Sequence, residues 1–589
     1  MSRTVYSIHP AIGVGRVGNA PEEFYIGPET EAGLPIMPDG SPFTPAAFRD
    51  SQGRVRRQAA RFRIYRSTDG SPPEEVTLDT AGVLEIYWRA HLANKKSSWY
   101  EFQTTKGEFG YASNHPLRNP DKKTTQEREA LIIDPGPRSI SGRDKRGVEF
   151  SRKTIPRDYK GSFPPPKLKP DSIDTLGELR TDSQGRLLVL GGLGHAGSDI
   201  DPPSIADYAN NNGWWDDTSD GSIEAIVVVR EGNGTPVKIP VEPAWFLCGP
   251  PGYAPQIPNV VTLYDTMFDT AVRYMGARPD IFEDELWKGG PDGYKPYFET
   301  DIKPIFEHVN LNSWVTAIPP KPHTFDFERM AKPGDELIGY RTFFLDFIRA
   351  PGQENTLIDP ERGVIIMPYL AGDEPLGVST AIDKYLRVSD TQYFMLTQWA
   401  NGWFHPGAEP QPNPGQALTR AVLENCVGGA FVPGIEITWI SRNPRIYMAP
   451  FRIKPRPVAR APLSLGFDPS KGMEPGDLTR YMAVPWQADF NECTSQPVGD
   501  RTVWWWPAQR PLFVYLPPEA KRAGGPYEGL GPQVAWVGQI FDQNAIGYLA
   551  FRDDLEMVAL WDQLGFVHNI GTAEEPHFVE VERRLPRNP

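Results

Sequence analysis

The sequence predicts an α+β fold that is predominantly β and contains long ordered loops. The chain of 589 residues carries 62 prolines and 55 glycines, and both residue types favour turns and edge strands over long helices. Its hydrophobic fraction of 39% and charged fraction of 23% are those of a globular protein. We divide the chain into a β-rich N-terminal domain (1–255), a helical connector (256–330) and a mixed C-terminal domain (331–589).

Three segments of the N-terminal domain have the composition of β-strands. Each is a short run of apolar, β-branched or aromatic residues bounded by glycine or aspartate, which is the pattern of a strand between tight turns. These runs cover residues 83–88, 186–190 and 223–229. We therefore expect this part of the chain to form a sheet of short strands joined by turns.

A glycine motif lies near the start of the chain. Residues 13–18 match GxGxxG, which binds a dinucleotide when a helix begins there and its N-terminus faces the pyrophosphate. The residues that follow, 19–28, are too few and too bounded by proline for such a helix. We interpret the motif as a glycine-rich turn and not as a nucleotide site.

Two helices and one further strand are predicted in the rest of the chain. Apolar residues repeat with helical spacing from Tyr264 to Met275, and Gly276 supplies a stop. Segment 416–427 also has a helical pattern that ends at two glycines, which places Cys426 on its last turn. Segment 435–440 alternates and is β-branched, so we predict a strand there.

Charge and cysteine content exclude several classes of protein. The net charge of −14 argues against non-specific nucleic-acid binding, which needs clustered cations. Three cysteines without a CxxC pattern give neither a disulfide framework nor a zinc site.

No apolar run approaches the roughly 18 residues of a membrane span, and no secretory signal is visible. We expect a cytoplasmic protein without a membrane partner, and export by an unrecognised route stays open. The cysteines are Cys248, Cys426 and Cys493.

Acidic and aromatic clusters suggest sites that the sequence does not support further. Residues 216–221 hint at a calcium loop, but the third position lacks an acceptor and Val227 replaces the bidentate glutamate. An acidic turn is the better interpretation.

Tryptophans are adjacent at 214–215 and 504–506. Such clusters line some sugar-binding surfaces, yet core packing is the commoner reason for them.

Several ordered stretches of the chain carry a resemblance to a known family. The segments with the closest likeness are 6–19, 188–192, 215–221, 398–402 and 505–511, together with Cys-Val-Gly-Gly at 426–429 and Pro-Trp-Gln-Ala-Asp at 485–489. In this order they resemble the cysteine tryptophylquinone oxidases, the family of lysine ε-oxidase and glycine oxidase. The resemblance spans nearly the whole chain. It implies that 331–589 is the catalytic domain.

The resemblance implies a cofactor made from the chain itself. In that family a cysteine sulfur is bonded to a tryptophan ring that carries two inserted oxygens, and here the two halves would be Cys426 and Trp486. The implied reaction is oxidative deamination of a primary amine or amino acid by O2, with release of H2O2 and ammonia. The family also implies a flavoprotein that installs the oxygens, and a homo-oligomer.

The sequence offers several candidates for the other site residues. Cys493 is the rival sulfur, but on a helix it stands about 10 Å along the axis from Trp486, which a thioether cannot bridge. The reaction needs a base near the Cα proton of the substrate, and Asp489 and Glu424 are both candidates, with His405 and Tyr393 as weaker ones. Family members commonly carry an aspartate four residues before the cysteine. Here that residue is Val422, which leaves open which acid substitutes, or whether the cofactor matures poorly.

The substrate and two alternative functions stay open. No histidine occurs between 427 and 485, which weakens glycine as the substrate by comparison with the glycine oxidases. An amino acid would need a carboxylate clamp, for which Arg442, Arg445 and Arg452 are available. The alternatives are a non-catalytic carbohydrate- or partner-binding β protein, and a family member that has lost its quinone.

Overall fold

The structure is a computed structural model of the chain. It describes residues 4–586 apart from 70, 104–106, 108–109, 231, 233, 317–324, 375–382, 411–412, 430–432, 458–460, 494, 499–500, 518–532 and 538–550. Within these ranges no helix combines the length and the apolar composition that a membrane crossing requires.

Most of the regular structure is β. The strands before residue 250 are β1 (Thr4–His9), β2 (Ile12–Arg16), β3 (Phe24–Ile26), β4 (Arg57–Thr68), β5 (Glu74–Val76), β6 (Val83–Ala93), β7 (Arg138–Ser141), β8 (Val148–Ser151), β9 (Lys169–Pro170), β10 (Thr175–Thr181), β11 (Leu187–Leu190), β12 (Ala196–Ser198), β13 (Trp214–Asp216), β14 (Ser219–Val229), β15 (Val237–Pro240) and β16 (Ala244–Gly249). They include the predicted strands at 83–88, 186–190 and 223–229. The predominantly β fold class is confirmed.

Thirteen of these strands form one large sheet. Its main path runs β7-β6-β14-β16-β2-β4-β11-β10-β8, with β1, β3 and β5 paired to β4 and β15 paired to β14. The pairing is mostly antiparallel, while β16 runs parallel to β2 and β3 runs parallel to β4. The sheet curls until its edge strands approach each other, since Arg138 on β7 donates to the carbonyl of Glu149 on β8 at 2.8 Å. The result is close to a barrel.

The glycine motif lies in this sheet and does not form a turn, so that prediction was wrong. Gly13 and Gly15 both belong to β2, which is buried along its whole length. A Cβ on Gly13 would come within 2.4 Å of the Phe62 ring, and one on Gly15 within 2.7 Å of Phe246. Glycine is required here because aromatic side chains from neighbouring strands pack directly onto the backbone.

Short helices and two-stranded pairs make up most of the remaining regular structure of the described chain. The helices are α1 (Thr125–Glu129), α2 (Leu263–Met275), α3 (Lys303–Asn312), α4 (Phe327–Met330), α5 (Ile338–Leu345), α6 (Asp390–Ala400), α7 (Pro414–Glu424), α8 (Trp486–Glu492) and α9 (Asp554–Leu560). The later strands are β17 (Phe282–Glu283), β18 (Leu286–Trp287), β19 (Tyr447–Ala449), β20 (Arg452–Ile453), β21 (Ser495–Val498), β22 (Arg501–Trp504), β23 (Phe513–Val514), β24 (Val534–Ala535), β25 (Phe566–Asn569) and β26 (Phe578–Val581).

The two predicted helices are confirmed. Helix α2 begins with a capping box between Thr262 and Asp265 and ends at Gly276, whose φ of 62° is left-handed. Helix α7 begins at Pro414 and ends at Glu424. The prediction that Cys426 lies on its last turn was wrong, because the helix ends before Cys426.

The strand predicted at 435–440 is absent from the structure. Residues 435–438 are irregular, and a 3-10 helix covers Trp439–Arg442. Ile435, Glu436 and Ile437 are all buried, so the alternation of residue types does not mark one buried and one exposed face. Glu436 is polar because it forms a buried ion pair with Arg16.

One extensive hydrophobic core joins the sheet to the C-terminal segments. It contains residues of β2, β6, β14 and β16 together with Cys426, Trp486 and Trp561. The adjacent tryptophans at 214–215 and at 505–506 are buried, and Trp504 is half-buried. The interpretation of these clusters as core is confirmed. The division into three domains stays a prediction.

Candidate active site

Trp486 is the first residue of helix α8, directly after Pro485. Its ring is 2% exposed and makes edge contacts with Phe490 at 5.6 Å and Trp561 at 5.7 Å between centroids. Its indole Nε1–H has no hydrogen-bond partner among the described residues. A buried donor without a partner destabilises the folded state, and the indole N–H groups of Trp99 and Trp439 share this property.

An ion pair holds the backbone of Trp486. Asp216, the last residue of β13, accepts the Trp486 N–H at 3.0 Å and the Lys96 ammonium at 2.8 Å on the same carboxylate oxygen. Both side chains are fully buried. Burial lowers the pKa of Lys96, and the charge of Asp216 opposes that shift. The start of α8 is thereby fixed to β13, which pairs with β12 and β9 in a separate three-stranded sheet, and to the segment that follows β6.

Asp489 lies one turn after Trp486 on the same helix. Its side chain is buried, and its Oδ1 has no hydrogen-bond partner in the described part of the chain. Burial raises the pKa of Asp489 well above its usual range, while a hydrogen bond from Cys493 and the charges of Lys96 and Arg510 oppose the shift. A carboxyl group in such surroundings is a strong proton acceptor once it is ionised.

Cys426 follows α7 and lies against a second buried ion pair. Its thiol donates to the carbonyl of Val422 at 3.2 Å. Arg16, at the end of β2, donates to Glu436 at 2.6 Å, and Glu436 also accepts the Val427 N–H at 3.0 Å. Burial raises the pKa of the Cys426 thiol, Glu436 adds to the shift and Arg16 opposes it. The thiol is therefore protonated and shielded.

Cys426 and Trp486 belong to the same core but have different polar neighbours. The contacts of Cys426 go to Val422, Arg16 and Glu436, and those of Trp486 go to Asp216 and two aromatic rings. The thioether between them stays a prediction. Cys493, the rival sulfur, is the C-cap residue of α8, seven residues after Trp486.

Glu424 faces a different cavity from Cys426. It accepts from Arg420 at 2.6 Å and lines a pocket of about 60 Å³ together with Glu31, Asp265 and His308. Burial raises its pKa to about 7, Glu31 and Asp265 add to the shift, and Arg420 opposes it. Cys426 instead lines a cleft between β2, β4 and α7. Of the two predicted acids, Asp489 is the one on the element that carries Trp486.

The two weaker candidates lie in the helical region. His405 is exposed and stacks on Tyr297 with a centroid distance of 4.7 Å. Tyr393 lies on α6, and burial raises its pKa. Their contacts connect them to the core around Phe298 and Trp399, a separate core from that of Trp486.

The acidic turn at 216–221 organises backbone. Asp217 accepts the N–H groups of Leu193, Gly194 and His195. Asp220 accepts those of residues 476, 478 and 479. Together with Asp216 they connect β13 and β14 to the segments that lead into Trp486. No group of metal-ligating side chains was found among the described residues.

Sequence reasoning missed the residues that support the site. Lys96 and Arg16 look like ordinary surface cations in the sequence, and both are buried beside a carboxylate far away in the chain. The one available signal was the acidic stretch at 216–221, since three aspartates within five positions (216, 217 and 220) exceed what a simple turn needs.

Comparison with known proteins places the chain in a family. Two family models match, described as L-lysine epsilon oxidase N-terminal over residues 9–248 and L-lysine epsilon oxidase C-terminal domain over residues 368–509. The chain belongs to the L-lysine epsilon-oxidase family. It is 36% identical over 534 residues to the L-lysine 6-oxidase of Marinomonas mediterranea, which covers 84% of this chain and 72% of that protein.

Solved structures of the L-lysine epsilon-oxidase family share the fold. The epsilon-lysine oxidase of Marinomonas mediterranea superimposes with a TM-score of 0.83 at 30% identity, over 98% of this chain and 95% of that one. A second structure of that oxidase, with the same score and coverage, is its Schiff base intermediate with L-Lys. The large sheet and the C-terminal segments around Trp486 therefore form a family architecture.

Proposed function

We propose that the protein oxidises a primary amine with a cysteine tryptophylquinone built from Cys426 and Trp486. The reaction converts the amine, O2 and water into an aldehyde or oxo acid, ammonia and H2O2. The observation that carries the proposal is the buried Trp486 ring, with its unpartnered Nε1–H, on the same helix as the buried Asp489. Membership of the L-lysine epsilon-oxidase family supports amine oxidation.

The residues fit the proposed cofactor. Trp486 and Cys426 are 2% and 1% exposed within one core, so a ring built from them is shielded from water. The Nε1–H of Trp486 and Oδ1 of Asp489 are polar atoms without partners in the described chain, so both would be available to hydrogen-bond a quinone oxygen or a substrate. A thioether removes the thiol proton, so the hydrogen bond of Cys426 to Val422 would end.

A related structure supports a carbonyl cofactor. The Marinomonas oxidase has been solved as a Schiff base intermediate with L-Lys, and a Schiff base forms when an amine condenses with a carbonyl group. For this chain we infer the same type of cofactor. When formed, the quinone supplies an electrophilic carbonyl pair that accepts the electrons of the substrate.

The side chains of this chain perform the remaining steps. Asp489, the carboxylate one turn from Trp486, takes the proton from the substrate Cα in its ionised form, and its raised pKa makes that form a stronger base. Asp216 and Lys96 hold the start of α8 and so orient the Trp486 ring. The surrounding aromatic rings exclude water from the reacting atoms. A flavoprotein maturation partner, implied by the family, would install the two oxygens.

The alternative functions have weaker support. The tryptophan clusters that suggested carbohydrate binding are packed in the core, with Trp214 and Trp505 both buried. The alternative of a family member that has lost its quinone rests on the residue type at Val422. In the structure Val422 contacts the Cys426 thiol through its backbone carbonyl.

The three cysteines provide the test of this function. We would produce the full chain with its maturation partner and measure H2O2 and ammonia over a panel of primary amines. Cys426→Ser should abolish amine-dependent H2O2, whereas Cys248→Ser, a change at an equally buried cysteine, should retain it. Activity in Cys426→Ser and its loss in Cys493→Ser would overturn the assignment of the sulfur. No H2O2 from any amine in wild-type protein would overturn the function.

A further inference from the structure

Arg118 is a buried guanidinium near the segment that leads into Trp486. It is fully buried, and its Nε donates to Asn210 Oδ1 at 3.1 Å. Its Nη1 donates to the carbonyls of Lys96 and Arg480 at 3.2 and 3.4 Å. All three acceptors are uncharged oxygens, and the ion pairs of the described residues do not include Arg118. Its positive charge is therefore buried without a counter-ion in contact.

The acidic groups around Arg118 are bonded to other donors. Burial lowers the pKa of Arg118 to about 10, and the acidic groups that oppose the shift are Tyr111, Asp207, Asp216 and Glu101. The guanidinium thus stays charged at neutral pH. Asp207 accepts two backbone N–H groups, at 2.8 and 2.7 Å, and Asp216 accepts the Lys96 ammonium. A buried charge is stabilised when a group of opposite charge contacts it.

The Nη2 group of Arg118 has no hydrogen-bond partner in the described chain. Arg480 is the other buried arginine there with an unpartnered terminal nitrogen, and it already has a counter-ion in Asp477 at 3.0 Å. Arg118 thus combines an uncompensated charge with terminal N–H groups that lack an acceptor. An anion would satisfy both.

Two indole N–H groups without acceptors belong to the same aromatic cluster. Trp99 and Trp439 are buried, and neither Nε1 has a partner among the described residues. Both rings make edge contacts with Tyr481, at centroid distances of 5.6 and 6.2 Å. Arg118 adjoins this cluster, because its backbone N–H donates to the carbonyl of Trp99 at 3.0 Å. An indole N–H can only donate, so these groups also require an acceptor.

One route from Arg118 to the proposed quinone residue runs through Lys96. The Lys96 carbonyl accepts from Arg118, and the Lys96 ammonium donates to Asp216. The same Asp216 oxygen accepts the Trp486 N–H. The charges of Arg118 and Asp489 both act on Lys96. The guanidinium and the proposed base therefore share a neighbour.

A second route runs through the backbone. Asn210 accepts from Arg118 Nε and pairs in parallel with Val484. The Val484 N–H donates to the carbonyl of Ala209 at 3.0 Å. Since Val484 precedes Trp486 by two residues, the guanidinium is attached to the strand-like segment that positions the ring.

We infer that Arg118 binds the carboxylate of an amino-acid substrate, with the indole N–H groups of Trp99 and Trp439 as further donors. This inference rests on the proposed function and deepens it by naming amino acids as the substrate class. A carboxylate supplies the missing negative charge and accepts charge-assisted hydrogen bonds from a guanidinium. A simple amine has no acceptor for these donors.

The three arginines that the sequence offered as clamps do not have this combination. Arg442 pairs with Asp373 at 2.9 Å, and Arg445 is exposed. Arg452 pairs with Glu242 at 3.9 Å and also donates to backbone carbonyls.

Substrate pairs that differ only in the carboxylate test the inference on the matured enzyme. The pairs are L-lysine with 1,5-diaminopentane, L-norleucine with n-pentylamine, and glycine with methylamine. Arg118→Gln should raise KM for the amino acid by about 10- to 100-fold, because it removes a charge-assisted hydrogen bond. KM for the decarboxylated amine should stay close to wild type. A purely structural role of Arg118 would impair both members of a pair equally, and that result would overturn the inference.

Trp439→Phe gives a second test that leaves the guanidinium in place. It removes one indole N–H that has no acceptor in the described chain and keeps an aromatic ring in the core. KM for the amino acid should rise by about tenfold. Trp88→Phe, at a buried indole whose N–H donates to Gly185 at 2.9 Å, is the matched control and should leave KM unchanged. Equal KM values for Trp439→Phe and wild type would remove Trp439 from the site.

A readout without turnover uses hexanoate and hexanamide, which carry no amine. Calorimetry on the matured full chain should show hexanoate binding at least about tenfold more tightly than hexanamide. This preference should be lost in Arg118→Gln and kept in Arg445→Gln. Equal binding of the two probes by wild type would overturn the inference.

Failure of this inference and failure of the proposed function are distinguishable. If amines yield H2O2 and Arg118→Gln affects both members of each pair equally, the carboxylate site is wrong and the function stands. If hexanoate binds with the expected dependence on Arg118 but no amine yields H2O2, the carboxylate site stands and the oxidase function is wrong.

Discussion

The carboxylate of Asp216 accepts the backbone N–H of Trp486 at 3.0 Å across 270 positions of sequence. The same oxygen receives the Lys96 ammonium, and the other accepts from Asn94 and from Thr218. This one side chain therefore fixes the start of α8 to β13. The position of the Trp486 backbone therefore depends on an ion pair buried in the N-terminal half of the chain.

Removing the Asp216 carboxylate should lower the free energy of unfolding substantially. Asp216→Asn leaves the Lys96 ammonium buried without its counter-charge, and breaking such a pair costs about 3–5 kcal/mol. Lys96→Met should cost less, because Asp216 keeps its backbone and hydroxyl donors. Urea denaturation measures the free energy of unfolding of both variants. Asp121→Asn, at an exposed pair with Lys122, is the control and should change stability by less than about 1 kcal/mol. A milder effect for Asp216→Asn than for Lys96→Met would contradict this account.

Asp489 should control the rate of proton abstraction. We expect Asp489→Asn to lower kcat by about 10²- to 10⁴-fold with a small change in KM, because general-base catalysis contributes that much. The rate should be expressed per quinone, with intact mass as the measure of cofactor content. Glu492→Gln, at a half-buried acid on the same helix, should stay close to wild type. Equal losses in the two variants would remove Asp489 from its assigned role.

Glu424 should make stability depend on pH. Burial raises its pKa in the folded protein from about 4.5 to about 7, so the folded state binds this proton more tightly than the unfolded state does. Its contribution to stability is therefore present at low pH and is lost as pH rises through that window. The melting temperature of Glu424→Gln relative to wild type should increase from pH 4.5 to 7 and then level off. Exposed Glu328→Gln is the control, and a difference that does not vary with pH would contradict the prediction.

The local patterns of the sequence predicted most of the regular structure. Strands at 83–88, 186–190 and 223–229 and the helix ending at Gly276 follow from propensity and periodicity, because their partners reinforce the local preference. The strand at 435–440 failed because Glu436 is polar for a tertiary reason, its ion pair with Arg16. Lys96 could not be identified, since nothing local distinguishes a buried lysine from an exposed one.

The glycines of β2 offer a direct check of one corrected prediction. Gly13→Ala should destabilise the fold by about 1–3 kcal/mol, because the added methyl group overpacks against Phe62. Gly407→Ala, at an exposed glycine whose added Cβ would meet nothing within 4 Å, is the matched control. Its free energy of unfolding should stay close to that of wild type. If both variants unfold like wild type, the Phe62 contact does not explain the glycine motif.

The peptide mass map of matured protein tests the central claim most directly. We predict one cross-linked species that joins the Cys426 peptide to the Trp486 peptide, with the gain of two oxygen atoms and the loss of four hydrogen atoms. The peptides of Cys248 and Cys493 should keep free thiols. Separate, unmodified Cys426 and Trp486 peptides in protein co-produced with its flavoprotein would contradict the account.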